Sequence, residues 1–260
     1  MNSDLNNILQ NGINLNGIKI KNGKIPIIIP QSMIVFAAHP DDELLSAGGT
    51  ILKYSELGTE ITVIVATSGS GGYVDNKSKD KISQTRKREF EVVSSLLHSK
   101  FIYLDWNEVV INRENISYIT NLIRELKPQI ILSPHNLDTH RNHRNLSYIV
   151  KESIYHTATG KAYGGAGKEF MPYAVYFYES PSCKFEYVNG SIFVTVDISK
   201  YWEKKREIFY KAYSSQAEML NRVIYWAEKT ARLRGYENLC EFGESFIPYT
   251  EYTPLRILLQ

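Results

Sequence analysis

Two apolar stretches constrain the fold most: MIVFAA at 33–38 and EITVIVAT at 60–67. Each is a nearly continuous run rich in β-branched residues, which suits a parallel strand covered on both faces. Between them, ELLSAGGTILKYSEL has helical spacing and stops at Gly58, a residue that fits a helix C-cap. The alternation then repeats. A polar helix is predicted from about Ile82 to Leu97, a strand at 101–104 (FIYL), a helix over ENISYITNLIREL and a strand at 129–133 (QIILS). Past residue 143 come another helix, the strands AVYFYE and SIFVTVDI, and a long polar helical tract from Lys200 to about Gly235. Upstream, residues 18–30 alternate Ile with Lys around Asn22-Gly23, which predicts a hairpin ribbon kept at an edge by its two prolines.

Strand, helix, strand, helix in this order predicts right-handed crossovers and an α/β fold. The sheet is expected to be open, mostly parallel and Rossmann-like, flanked by helices, with additional C-terminal strands and helices and an N-terminal hairpin. No internal repeat or low-complexity linker divides the chain, so residues 1–260 are expected to form a single domain. Within it, 1–32 would be an N-terminal extension with the hairpin and 33–246 the core.

The balance of 30 basic against 28 acidic residues leaves a formal net charge of +2, far from the excess of a nucleic-acid binder, so no nucleic-acid partner is expected. Only Cys183 and Cys240 are present, too few for a disulfide framework, and a reducing compartment follows. The N-terminus MNSDLNNILQ lacks the features of a secretory signal, and no window reaches the ~18 apolar residues of a membrane span. A cytoplasmic protein with no integral membrane segment is expected, and association into homo-oligomers is compatible with such a fold.

The first apolar run ends in His39-Pro40-Asp41-Asp42-Glu43, and three of the six histidines lie in HNLDTHRNH, His135 to His143, after the fourth strand. In an open α/β sheet ligands bind at the carboxyl ends of the strands, so both loops fall on the binding rim. Taken alone, either loop has an ordinary explanation, a helix N-cap in one case and a solvated loop in the other. Together they provide the nitrogen and oxygen ligands of a first-row metal site.

Catalytic zinc commonly takes three protein ligands and keeps a fourth position open. His39 and Asp42, three apart on a turn, are expected to converge on one Zn2+, with His143 as the third ligand. Asp41 then faces the open side and is free to act as general base toward a water attacking a carbonyl. His140 is placed to stabilise an oxyanion or to protonate a departing amine. His98, His135 and His156 are expected to be structural or solvent-facing.

These residues resemble a known family. AAHPDDELLSAGGTI, then TSGSGG, then DTHRNH, look like the PIG-L or LmbE-like zinc-dependent N-acetylglucosaminyl deacetylases, a resemblance running over roughly residues 33–246. RKRE at 86–89, VDISKYWEKK, SSQ at 214–216 and FGESF match further family segments. The resemblance implies a hydrolase that removes an acetyl group from an N-acetylated amino sugar, a small-molecule substrate. It implies His39, Asp42 and His143 as zinc ligands, Asp41 as base, His140 as the oxyanion or acid histidine, and Arg86 as a substrate contact.

Two departures stand out. The family usually reads His-x-Asp-His where this chain has His140-Arg141-Asn142-His143, and Ser70 stands where the family often has Glu. A zinc-containing sugar-binding module with little turnover, or a hydrolase of a non-sugar amide, would use the same rim. Trp106, Tyr73 and Tyr163 fall in or near rim loops where a sugar ring could stack, and YGGAGKEF at 163–170 suggests a lid.

Overall fold

The structure is a computed structural model that describes residues 13–15, 18–20, 29–69, 76–159, 167–187, 193–213 and 217–251. A two-stranded antiparallel ribbon pairs β1 (Ile13–Leu15) with β2 (Ile18–Ile20). The hairpin expected around Asn22-Gly23 falls on residues 21–28, outside the described residues.

The main sheet has seven strands in the order β5-β4-β3-β6-β7-β9-β8. They are β3 (Ser32–Ala37), β4 (Glu60–Thr67), β5 (Lys100–Trp106), β6 (Ile130–Pro134), β7 (Ala174–Tyr178), β8 (Val194–Asp197) and β9 (Gly243–Pro248). The first five are parallel, and the β7–β9 and β8–β9 pairs are antiparallel. Helices α1 (Asp42–Glu56), α2 (Asn76–Leu96), α3 (Arg113–Leu126), α4 (Arg141–Ala158), α5 (Trp202–Ala212) and α6 (Ala217–Glu237) flank it. No helix among the described residues is long and apolar enough to cross a membrane.

The pleat explains the unbroken apolar runs. Met33, Val35 and Ala37 pack with Leu44, Ile51, Phe90, Phe209 and Ala227, whereas Ile34, Phe36 and Ala38 pack on the opposite face with Ile116, Ile123, Leu146 and Ile149. Successive side chains point to opposite faces, so a strand buried on both sides has no polar position to offer. The strand β9 was not anticipated, because Glu244 and Ser245, both buried, interrupt its apolar pattern. The C-terminal helical tract divides into α5 and α6, and α5 ends where the fully buried Tyr213 points its hydroxyl to Glu43 Oε1, 3.4 Å away.

The chain runs β3, β4, β5 toward one edge and then returns to place β6 on the other side of β3. The crevice at the carboxyl ends of β3 and β6 is thus the switch point of the sheet, where open α/β folds bind ligands. Helix α1, which opens at this crevice, is held from below. Glu244 accepts the Gly49 and Thr50 N–H groups at 2.9 and 2.7 Å, while Lys205 Nζ donates to Leu45 O and to Glu244 Oε1, both at 2.8 Å. Donor and acceptor of one helical repeat, Gly49 N–H and Leu45 O, are both engaged by this buried ion pair. A Cβ on Gly49 would meet Ile198 atoms at 2.7 Å, so the close approach requires glycine.

Candidate metal and catalytic site

β3 ends at Ala37 and the chain turns sharply through His39-Pro40-Asp41 into α1. Asp41, the N-cap, has φ 136°, outside the range that non-glycine residues occupy at ease. Such strain persists only where surroundings over-determine it. Here Asp41 O accepts Leu45 N–H at 2.9 Å, Asp41 N–H donates to Glu43 Oε2 at 3.1 Å, and Arg86 Nη2 grips both Asp41 Oδ2 at 2.7 Å and Pro40 O at 2.9 Å. Arg86 Nη1 also donates to Gly69 O at 3.1 Å; Gly69 has φ +65°, and a Cβ there would lie 2.5 Å from Arg86 Nη1.

The turn directs two side chains to one point. Asp42 Oδ2 accepts the Ala38 and His39 N–H groups, each at 2.9 Å, which fixes its carboxylate against the strand end. His143, from the first turn of α4, reaches the same point across the crevice. His39 Nδ1 lies 3.2 Å from His143 Nε2 and 3.5 Å from the Asp42 carboxylate, and His143 Nε2 lies 3.3 Å from Asp42 Oδ1. Ligand atoms on a tetrahedral cation with bonds of about 2.0–2.2 Å stand about 3.3–3.6 Å apart; these contacts, reaching Asp42 Oδ2 from His39 and Asp42 Oδ1 from His143, are close to that spacing. These three residues could hold a metal ion and leave the fourth position open.

His140 is the exposed N-cap of α4, with its ring centroid 4.7 Å from that of His39 and 4.6 Å from that of His143. A second triplet, His39, His140 and His143, therefore brings ligand atoms within 4.8 Å of one another. Both sets share His39 and His143.

Asp138, which the sequence reading gave no role, completes the geometry. It is buried, and its Oδ2 accepts from His143 Nδ1 at 2.9 Å and from Ser180 Oγ at 2.6 Å, while its Oδ1 accepts the His140 N–H at 2.8 Å. A carboxylate on the far ring nitrogen fixes the tautomer that leaves Nε2 free to bind a metal. Its position five residues before His143 was the one available signal. His135 is structural: buried between Phe177 and Phe185, and driven down to about 4 by that burial. Trp106 is half-buried against the sheet core. Tyr73, Tyr163, most of the glycine-rich loop and SSQ at 214–216 lie outside the described residues.

The carboxyls respond to their surroundings in opposite ways. Burial, reinforced by the neighbouring Asp42 charge, pushes Asp41 up to about 6 against the pull of Arg86. Burial also opposes ionisation of Asp42, but the His143 and His39 imidazoles outweigh it and hold Asp42 well below the usual carboxylate range. His143 is raised, since Asp42 and Asp138 overcome its burial. His140 is lowered by burial and by the two neighbouring imidazoles. Asn142 contacts His39, not His140. With 19% of its side chain exposed against 9% for Asp42, Asp41 is the carboxylate open to an entering water.

Glu43 is fully buried, and burial together with the Asp41 charge raises it to about 8. Below about 8 the folded protein keeps a proton that the unfolded chain has lost above about 4.5. The metal-free protein should therefore lose stability as pH rises across that interval, by up to an order of 4 kcal/mol from this group. Glu43→Gln should flatten the fall, read as melting temperature between pH 5 and 8 in the presence of chelator. An unchanged slope in the variant would assign the dependence to other groups.

A family profile described as "PIG-L: GlcNAc-PI de-N-acetylase" matches residues 34–154, a stretch that holds His39, Asp41, Asp42, Arg86, His140 and His143. Over this stretch, just under half of the chain, the sequence is similar to that family. A protein from Thermococcus kodakarensis named diacetylchitobiose deacetylase is 28% identical over 131 residues, 48% of this chain and 49% of the relative. The aligned chain thus spans about half the length of that curated relative. A 1D-myo-inositol 2-acetamido-2-deoxy-alpha-D-glucopyranoside deacetylase from Mycobacterium leprae is 27% identical over 253 residues, 80% of this chain and 79% of its own length.

Among solved structures, N,N'-diacetylchitobiose deacetylase from Pyrococcus horikoshii superposes with a TM-score of 0.75 at 20% identity, covering 100% of this chain and 98% of that one. GalB from Pseudomonas putida KT2440, a 4-carboxy-2-hydroxymuconate hydratase, reaches 0.73 at 18% identity, covering 87% of this chain and 99% of that one. The chain shares the fold of these two proteins, and that fold serves proteins named for different reactions.

Proposed function

We propose that this chain is a zinc-dependent hydrolase that removes the acetyl group from an N-acetylated amino sugar. The observation that carries the reading is the triangle of His39 Nδ1, His143 Nε2 and the Asp42 carboxylate, with edges of 3.2–3.5 Å, beside a separate carboxylate, Asp41. Two imidazoles and one carboxylate suit zinc, and no cysteine is part of the cluster. The substrate class rests on the relatives, whose names share an acetamido sugar joined to different partners.

Bound zinc supplies a Lewis acid that polarises the acetyl carbonyl and lowers the pKa of an attacking water to about 7. Asp42 and His39 hold one side of the site, and Asp138 keeps the His143 ring turned so that Nε2 faces it. Asp41, held by Arg86, accepts the proton of the water as its oxygen bonds to the acetyl carbon. His140, on the exposed rim, steadies the carbonyl oxygen as charge builds there. The carbon–nitrogen bond then breaks, the proton that Asp41 took from the water passes to the departing nitrogen, and acetate and a free amine leave. In this reading Arg86 acts on Asp41, since its Nη2 and Nη1 already serve Asp41, Pro40 and Gly69.

The likeness to a hydratase favours a second reading, addition of water to a carbon–carbon double bond by the same water and base. A panel of N-acetylglucosamine conjugates and unsaturated hydroxyacids separates the two. The deacetylase reading expects acetate and amine in equal amounts, abolished by chelator and restored by zinc. Hydration without acetate release would establish the second reading, and sugar binding without turnover would leave a binding module.

A further inference from the structure

We propose that the buried ion pair between Lys205 and Glu244 positions Asp41, and the proposal rests on the reading of Asp41 as the general base. Lys205 lies on α5 and Glu244 on β9, with 2% and 5% of their side chains exposed, and neither takes part in the hydrolysis itself. Two charges taken out of water regain little net stability from their attraction, and a well-packed apolar pair would tie α1 to the core as firmly. Stability alone therefore does not account for the pair. What it touches does.

Lys205 Nζ donates to Leu45 O at 2.8 Å, and the two Glu244 oxygens accept the Gly49 and Thr50 N–H groups at 2.9 and 2.7 Å. Apolar contacts are non-directional and let a helix slide or turn. Hydrogen bonds to main-chain atoms on successive turns fix both its height and its rotation. The face of α1 is shaped for this approach, since a Cβ on Gly48 would lie 3.4 Å from Lys205 Cγ and Cδ.

Leu45 is where the grip reaches the site. Its carbonyl is held by Lys205, and its N–H donates to Asp41 O at 2.9 Å. Asp41 keeps a φ of 136°, which persists only while its surroundings enforce it. Arg86 holds the Asp41 side chain, and Leu45, tied to α5 and β9, holds its main chain. Asp42 is fixed separately, by the Ala38 and His39 N–H groups at the end of β3. Loss of the ion pair should therefore misdirect the Asp41 carboxylate and leave the donor triangle in place.

The test is the double variant Lys205→Met/Glu244→Leu, compared with wild type and with each single variant. Each single change strands a buried charge and should lower the melting temperature. In the double variant no charge remains and the Gly49 N–H can return to Leu45 O, its regular helical partner, so the melting temperature should recover toward that of wild type. Its kcat when loaded with zinc should nevertheless stay about 100-fold below wild type, the effect of a misplacement of about 1 Å, with KM and zinc affinity unchanged. The Leu45 N–H should exchange with solvent hydrogen faster than in wild type, while the amides of β3 and β6 keep their protection. Recovery of kcat together with the melting temperature would overturn the proposal, and so would a loss of zinc affinity in step with kcat. Where the double variant folds poorly, Lys205→Met alone, assayed well below its own melting temperature, decides: it releases Leu45 O, and wild-type kcat there would overturn the proposal. Absence of acetate release by wild type would instead refute the deacetylase reading, and exchange at Leu45 would then decide the proposal by itself.

Discussion

Asp41→Asn should lower kcat for acetamide hydrolysis by about 10²–10⁴-fold, the range for loss of a positioned general base, while zinc stoichiometry stays at that of wild type. The two observables separate because Asp41 lies outside the triangle of donor atoms, and Arg86 Nη2 holds its Oδ2 at 2.7 Å. Asparagine keeps the shape and offers Arg86 an amide oxygen, and it carries the same Cβ as aspartate, so the φ of 136° places the same demand on both residues. It cannot take a proton from water. Rates and metal content are measured on the same preparation; a variant that keeps wild-type kcat would remove Asp41 from the chemistry.

His143→Ala should have the other large effect, on binding. The ring is a vertex of the triangle and is also wedged between Asp42 and Asp138, at 3.3 and 2.9 Å. Its removal takes away a ligand and leaves two buried carboxylates without their shared partner. Zinc affinity should fall by more than the about 10–100-fold that loss of an outer partner such as Asp138 costs. The metal-free protein should also lose about 3–5 kcal/mol, as when one member of a buried ion pair is removed. Chelator competition measures the first and urea unfolding the second. Retained affinity would shift attention to a site without this residue.

Much of the site was legible because the information was local. HPDDE follows an apolar run directly, so strand, turn and helix start can be read from one short stretch, and the spacing of His39 and Asp42 belongs to that turn. HNLDTHRNH follows a second such run, and the rule that ligands bind at strand ends joins the two loops without a structure. What could not be read depended on tertiary partners. Asp138 looks like any polar loop residue until His143 and Ser180 close on it.

Glu43 looks like a solvated acid at a helix start, yet the strained turn and Tyr213 enclose it completely. Glu244 breaks the pattern of β9 because its carboxylate serves the backbone of α1. Arg86, singled out from the sequence as a substrate contact, has Asp41, Pro40 and Gly69 among its partners, which only the structure could show. Asn142 stood out as a departure from the family pattern, but only the structure shows that it meets His39 and Val109.

The most direct test of the account is an anomalous difference map from crystals grown with zinc, collected on both sides of the zinc absorption edge. A single peak is predicted about 2.0–2.2 Å from His39 Nδ1, His143 Nε2 and one Asp42 oxygen, with Asp41 outside bonding distance. A peak held by His140 in place of Asp42, or no peak between the two loops at full zinc saturation, would contradict it.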